Sequence, residues 1–183
     1  LQYVLDNFYP NWGESTIHES SPSNKFISNY ATNYTASQYI PEIPFGSMHD
    51  NGFRSENLEN LTLESNSIDV FVTQDVFEHL FEPRSAAQEI ARVLSPGGIH
   101  IFTAPKHKGV KSSFRMAKLL ENGTVEYLIH PPEYHGNPVG DGKSLVTWRY
   151  GDDFEYLLSH WSGLPVTVYQ TRDWGLGIYA EFN

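Results

Sequence analysis

Two places in the chain gather side chains that can move protons near neutral pH. Residues 130–137 read His-Pro-Pro-Glu-Tyr-His-Gly-Asn, placing the imidazoles of His130 and His135, the carboxylate of Glu133 and the phenol of Tyr134 close together. Prolines stiffen this stretch and Gly136 leaves a hinge, as in a loop that orders over a bound molecule. An imidazole is the side chain best matched to general-base work at neutral pH, and His135 is the candidate base of this loop. The second place is the pair Glu78-His79, which makes His79 the alternative base. His130, Glu133 and His135 have no helical spacing to hold three ligands on one face, so no metal is expected.

The elements around these residues read most clearly in the middle third. Ile68, Val70, Phe71 and Val72 form a short apolar run rich in β-branched residues, as in a strand buried on both faces of a parallel sheet. Ala87, Ile90, Ala91 and Leu94 then recur at helical spacing, with Pro83 near the first turn and Pro96-Gly97-Gly98 as the stop. Residues 99–104 are a second apolar strand ended by Pro105, which makes a βαβ unit with a right-handed crossover. Upstream, residues 15–18 and 33–37 are weaker strands flanking a helix within 24–31. Residues 113–121 suggest a helix, followed by a long ordered loop, so that 106–147 reads as an insertion. A helix returns over 152–160. Residues 165–170 and 176–182 read as an antiparallel hairpin turned at 173–175.

The block Ile68-Asp69-Val70-Phe71-Val72-Thr73-Gln74-Asp75-Val76-Phe77-Glu78-His79-Leu80, followed by a helix ending Leu-x-Pro-Gly-Gly and a further strand, resembles the centre of class I S-adenosylmethionine-dependent methyltransferases of the type 11 kind. The likeness is close over about residues 58–105. It implies a doubly wound, seven-stranded, mostly parallel α/β sheet, Rossmann-like, with the cofactor across the carboxyl ends of the first strands. The implied cofactor is S-adenosyl-L-methionine, with S-adenosyl-L-homocysteine as product.

The same resemblance implies the site. Glu19 stands where the family has an acidic residue before a glycine-rich loop, but the chain continues Ser20-Ser21-Pro22-Ser23-Asn24. After the second strand Ser37 and Gln38 take the place of the acidic ribose ligand. Asn57 and Leu58 belong to the segment that holds the adenine, and Gln74 and Asp75 meet the methionine end. Asp69 reads as structural, capping a neighbouring turn. Ser20, Ser21 and Asn24 would serve equally as an ordinary helix cap.

Composition limits the alternatives. A chain of 183 residues with 39% hydrophobic content suits one domain, here 1–183. Lys and Arg number 12 against 22 Asp and Glu, and a formal charge of −10 repels a phosphate backbone, so no nucleic-acid partner is expected. No run approaches the roughly 18 apolar residues that span a bilayer. With no cysteine, the reading is a soluble, cytoplasmic protein, and 14% aromatic residues suit an aromatic-lined pocket for a small-molecule or glycan-related acceptor. A nicotinamide site is disfavoured because no glycine lies between Gly13 and Gly46. The glycine-free donor loop keeps open a catalytically inactive, methyltransferase-like binding or regulatory domain.

Overall fold

The computed structural model describes residues 1–22, 24–136 and 142–169. Its centre is a five-stranded sheet of β1 (Thr16–Ser20), β2 (Asn33–Gln38), β3 (Arg54–Ser55), β4 (Ile68–Gln74) and β5 (Leu94–Thr103). The spatial order is β3-β2-β1-β4-β5 and every pairing is parallel. The strands step outward from β1 to β3 and then return to β4 beside β1. The β1/β4 boundary is therefore the switch point at which open α/β sheets bind ligands.

β4 is central because both of its faces are apolar. Val70 and Val72 pack with Ile17 of β1, Leu5 of helix α1 (Gln2–Phe8), Ile27 of helix α2 (Phe26–Tyr30) and Trp12. Ile68 and Phe71 pack on the other side with Ala86, Ala87, Ile90 and Val93 of helix α3 (Pro83–Val93) and Phe154 and Leu158 of helix α4 (Phe154–Ser162). Val70, Phe71 and Val72 are fully buried, each stabilising the fold by about 1.5–3 kcal/mol relative to exposure. Helices on both faces make the sheet doubly wound, as the resemblance implied.

Ile68 and Phe71 fall in one cluster, and between Ile68 and Val70 the β4/β5 ladder jumps. Ile68 pairs with Leu94 and Val70 with Ile99, so residues 95–98 bulge out of register. Only glycine fits at Gly98, where a Cβ would lie 2.9 Å from the Ser95 carbonyl oxygen and 3.0 Å from that of Asp69. Asp69 accepts the backbone N–H of Thr16 at 2.9 Å, anchoring the start of β1.

Several expectations need correction. The sheet has five strands among the described residues, two fewer than the resemblance implied. The proposed C-terminal hairpin lies outside the described residues from 170 onward, and 165–169 has no regular structure. No helix forms over 113–121. Strand β6 (Phe114–Arg115) and the hairpin β7 (Ala117–Leu119) and β8 (Val125–Tyr127) occupy that stretch. Asn122-Gly123 decides this: Asn122 accepts from Thr124 N–H, and Gly123 adopts φ +80°, which favours a tight turn over a helix. The rest of the insertion is likewise paired, β9 (Tyr134–Gly136) with β10 (Lys143–Leu145), and β11 (Trp148–Arg149) with β6. Helix α1 was not legible in the sequence. Among the described residues no helix is long and apolar enough to cross a membrane.

Candidate active site

At the end of β4 the chain turns sharply through Asp75, a non-glycine residue at φ +52°. Its N–H donates to the Thr103 carbonyl at 3.0 Å, and the Thr103 hydroxyl donates to its carboxylate at 3.1 Å. The turn leads into a 3-10 helix over Phe77–His79, with Phe77 fully buried and Glu78 1% exposed. The insertion is sewn onto this helix. Thr147 donates its N–H to the Glu78 carbonyl at 2.8 Å and its hydroxyl to that of Leu80, while Tyr150 donates to the Phe77 carbonyl at 2.9 Å.

These bonds bring His135 of β9 over Glu78 and His79. Glu78 Oε1 lies 3.8 Å from His79 Nε2 and 3.6 Å from His135 Nδ1, and the two rings meet edge to face at 5.3 Å. His79 Nδ1 donates to the Leu145 carbonyl at 2.8 Å, which leaves its Nε2 toward Glu78. His135 Nε2 faces Glu133 Oε1 at 3.5 Å, and the other Glu133 oxygen accepts from Arg149. Among the described residues neither oxygen of Glu78 has a hydrogen-bond partner. Burial, reinforced by the charge of Asp75, pushes the Glu78 carboxyl up to about 7, while burial lowers His79. An ionised carboxylate held dry and unpartnered costs several kcal/mol, and that cost is why the carboxyl is raised. Asp75, Glu78, His79, Pro105, His135 and Gly136 line a cleft of about 380 Å³.

A second polar set lies across the neighbouring strand ends. Glu19 is buried, accepting from the Tyr34 hydroxyl at 2.8 Å and from the Gln74 amide at 3.4 Å. Burial raises its carboxyl despite those two bonds. On the opposite face of β1 the His18 ring spans Thr35 and Ser37, each hydroxyl at 2.8 Å, and burial drives it down to about 4. Ser21 follows at φ +54° with its N–H bonded to the Ser37 carbonyl at 2.8 Å. Gln38 accepts from the Asn51 amide at 3.3 Å.

Residues 10–102, just over half of the chain, match the family model described as a methyltransferase domain. The chain belongs to the methyltransferase domain family. An S-adenosylmethionine-dependent methyltransferase from Mesorhizobium loti shares this domain's fold at 14% identity, covering 87% of this chain and 78% of that one with a TM-score of 0.52. A methyltransferase from Methanosarcina mazei matches at 14% identity over 85% and 83% of the two chains, with a TM-score of 0.49. The YcgJ protein from Bacillus subtilis matches at 14% identity over 58% and 52%, with a TM-score of 0.45. This chain thus spans about half the length of YcgJ and of the chain it also matches in a Haloferax volcanii complex. No curated protein matches it.

Within this methyltransferase domain the residues named from the sequence separate into three groups. Glu19, Ser20, Ser21, Gln38, Gln74 and Asp75 gather at the carboxyl ends of β1, β2 and β4, in register through Ser20 with Ser37 and Thr73. Ser37, Asn57 and Leu58 have tasks in the fold: Ser37 bonds His18, Asn57 accepts from the N–H of Glu59 at 3.0 Å, and Leu58 lies in the core. Asn24 accepts from the Phe26 N–H at 2.9 Å at the head of α2, so the capping use of that loop is realised there. His79 and His135 meet although 55 residues separate them. His135 joins Glu78 and His79, not His130 and Glu133, in the one three-residue cluster of potential ligand atoms among the described residues. Glu78 went unnamed as a site residue. Its signal was a carboxylate beside His79 between the apolar pairs Val76-Phe77 and Leu80-Phe81.

Proposed function

We propose that the chain transfers a methyl group from S-adenosylmethionine to a small-molecule or glycan-related nucleophile held in the cleft of Glu78, His79 and His135. The observation that carries this reading is the buried, unpartnered Glu78 carboxylate facing two imidazoles, one short turn beyond Asp75 at the switch-point end of β4. Bound in the sheet, the cofactor supplies a sulfonium-activated methyl group, so the protein's main work is alignment, worth up to about 7–11 kcal/mol.

The residues present fit such a donor. Glu19 spends two of its roughly four acceptor positions on Tyr34 and Gln74, which leaves capacity for an ammonium group. Gln38 serves the adenosine end, and Gln74 and Asp75 the amino-acid end. Ser21 holds the left-handed backbone for which the family's loop uses glycine, so that conformation survives without the glycine. On the acceptor side, Glu133 engages the Nε2–H of His135, leaving Nδ1 to take the proton of a hydroxyl or ammonium nucleophile.

The test is transfer of labelled methyl from S-adenosylmethionine to a panel of small hydroxyl and amine acceptors, with Glu78→Gln and His135→Ala beside the wild type. Transfer that falls in both variants while S-adenosylhomocysteine affinity holds supports the reading. Transfer indifferent to both removes the cleft from the chemistry.

A further inference from the structure

The donor geometry of the cleft goes beyond proton transfer and does not depend on the methyl-transfer reading. We propose that Glu78, His79 and His135 form a binding site for a divalent first-row transition-metal ion.

One potential ligand atom from each of the three residues lies within 4.8 Å of the others. The spacing is not that of an ion-paired or hydrogen-bonded cluster. Glu78 Oε1 stands 3.6 Å and 3.8 Å from the two imidazole nitrogens, too far for a hydrogen bond, and among the described residues it has no hydrogen-bond partner. Ligands about 2.0–2.1 Å from a shared tetrahedral zinc ion stand roughly 3.3–3.4 Å apart, so each imidazole nitrogen is within a few tenths of an ångström of that spacing from Glu78 Oε1, and all three atoms lie within 4.8 Å of one another. An ion bound there would give the buried carboxylate a partner.

The outer contacts match those that orient metal ligands. A ligating imidazole normally donates its second N–H to a backbone carbonyl or carboxylate. His79 Nδ1 donates to the Leu145 carbonyl at 2.8 Å, and His135 Nε2 faces Glu133, itself paired with Arg149. Each ring therefore turns its remaining nitrogen toward Glu78. Two imidazoles and one carboxylate favour zinc, iron(II) or their neighbours over magnesium or calcium, which take oxygen ligands. Three protein ligands opening on a cleft leave further coordination positions free, as catalytic ions require. When the ion is bound, His135 is a ligand rather than a free base, so the two roles alternate at one ring.

The full chain, freed of metal with a chelator, should bind zinc in a calorimetric titration with one ion per chain. Glu78→Gln, His79→Ala and His135→Ala should each weaken binding by about tenfold or more, the scale of losses even for outer partners of metal ligands. His130→Ala should stay within about twofold. Histidine nitrogen resonances of the wild type provide a readout that does not require a variant to fold. Zinc should move His79 Nε2 and His135 Nδ1 and leave His18 and His100 in place. Absence of zinc binding, unchanged affinity in the His79→Ala/His135→Ala double variant, or shifts confined to other histidines would overturn the proposal. Because no methyl donor is present, a failure here is separate from a failure of methyl transfer.

Discussion

His135 Nδ1 stands 3.6 Å from Glu78 Oε1, so a residue of the insertion and a residue of the β4 turn complete one cleft. The family-matched residues supply one wall and, in the proposed function, the donor end, while the paired strands of the insertion supply the other wall. Dividing the two tasks in this way separates what mutations on each side should do.

Removing the imidazole at His135 should lower methyl transfer by about 10²–10⁴ with donor affinity nearly unchanged, the usual worth of a positioned base. Steady-state kinetics with S-adenosylhomocysteine titrations alongside would show it. A rise in the acceptor Michaelis constant with little loss of turnover would mean that His135 only positions the acceptor.

Replacing Ser21 by glycine should stabilise the fold by about 1–2 kcal/mol, because an L-residue at φ +54° carries roughly that cost and glycine does not. For a chain of this size the melting temperature should rise by about 2–4 °C per kcal/mol. An unchanged or lower melting temperature would show that the serine hydroxyl contributes more than the strain costs.

Asp69→Ala should cost about 1.5–3 kcal/mol, since it removes a charge-assisted bond to the Thr16 N–H and leaves that donor unmet. Denaturant titration measures the loss. Donor affinity measured below the transition should be unaffected, because Asp69 lies at the opposite end of β4 from Gln74.

The contributions of His18 and His100 to stability should rise as pH increases from about 4 to 6.5, against an opposite contribution from the raised carboxyls of Glu78 and Glu19. Burial holds His18 down at about 4 and His100 at about 3, so over that range the unfolded chain binds protons that the folded chain does not. Their stabilising effect is complete above pH 6.5 and is lost progressively as pH falls toward 4. His18 alone contributes a slope of at most about 1.4 kcal/mol per pH unit. His18→Gln should flatten the wild-type profile by that amount in urea melts at pH 5 and 7. Parallel profiles for the two proteins would contradict the assignment.

What the sequence revealed follows from where its signals are local. β4, α3 and β5 were legible because their apolar periodicities and the Pro-Gly-Gly stop lie within one stretch. β1 and β2 were weak because His18, Glu19, Ser20, Ser37 and Gln38 are polar yet buried. Their burial depends on cross-strand pairs such as His18 with Ser37, which no local pattern announces. The helix expected over 113–121 gives way to a hairpin because the Asn122-Gly123 turn reverses the chain there. Of the site, the strand-end residues followed from the resemblance. The junction of Glu78 with His135 did not, because it exists only once Thr147 and Tyr150 fasten the insertion to the 3-10 helix.

Calorimetric titration of the full chain with S-adenosylhomocysteine tests the central claim most directly. One site per chain is expected, with affinity weakened by Glu19→Gln and Gln74→Ala but not by His135→Ala. No heat and no shift in melting temperature at saturating ligand would contradict the donor site. The domain would then be a methyltransferase-like binding module.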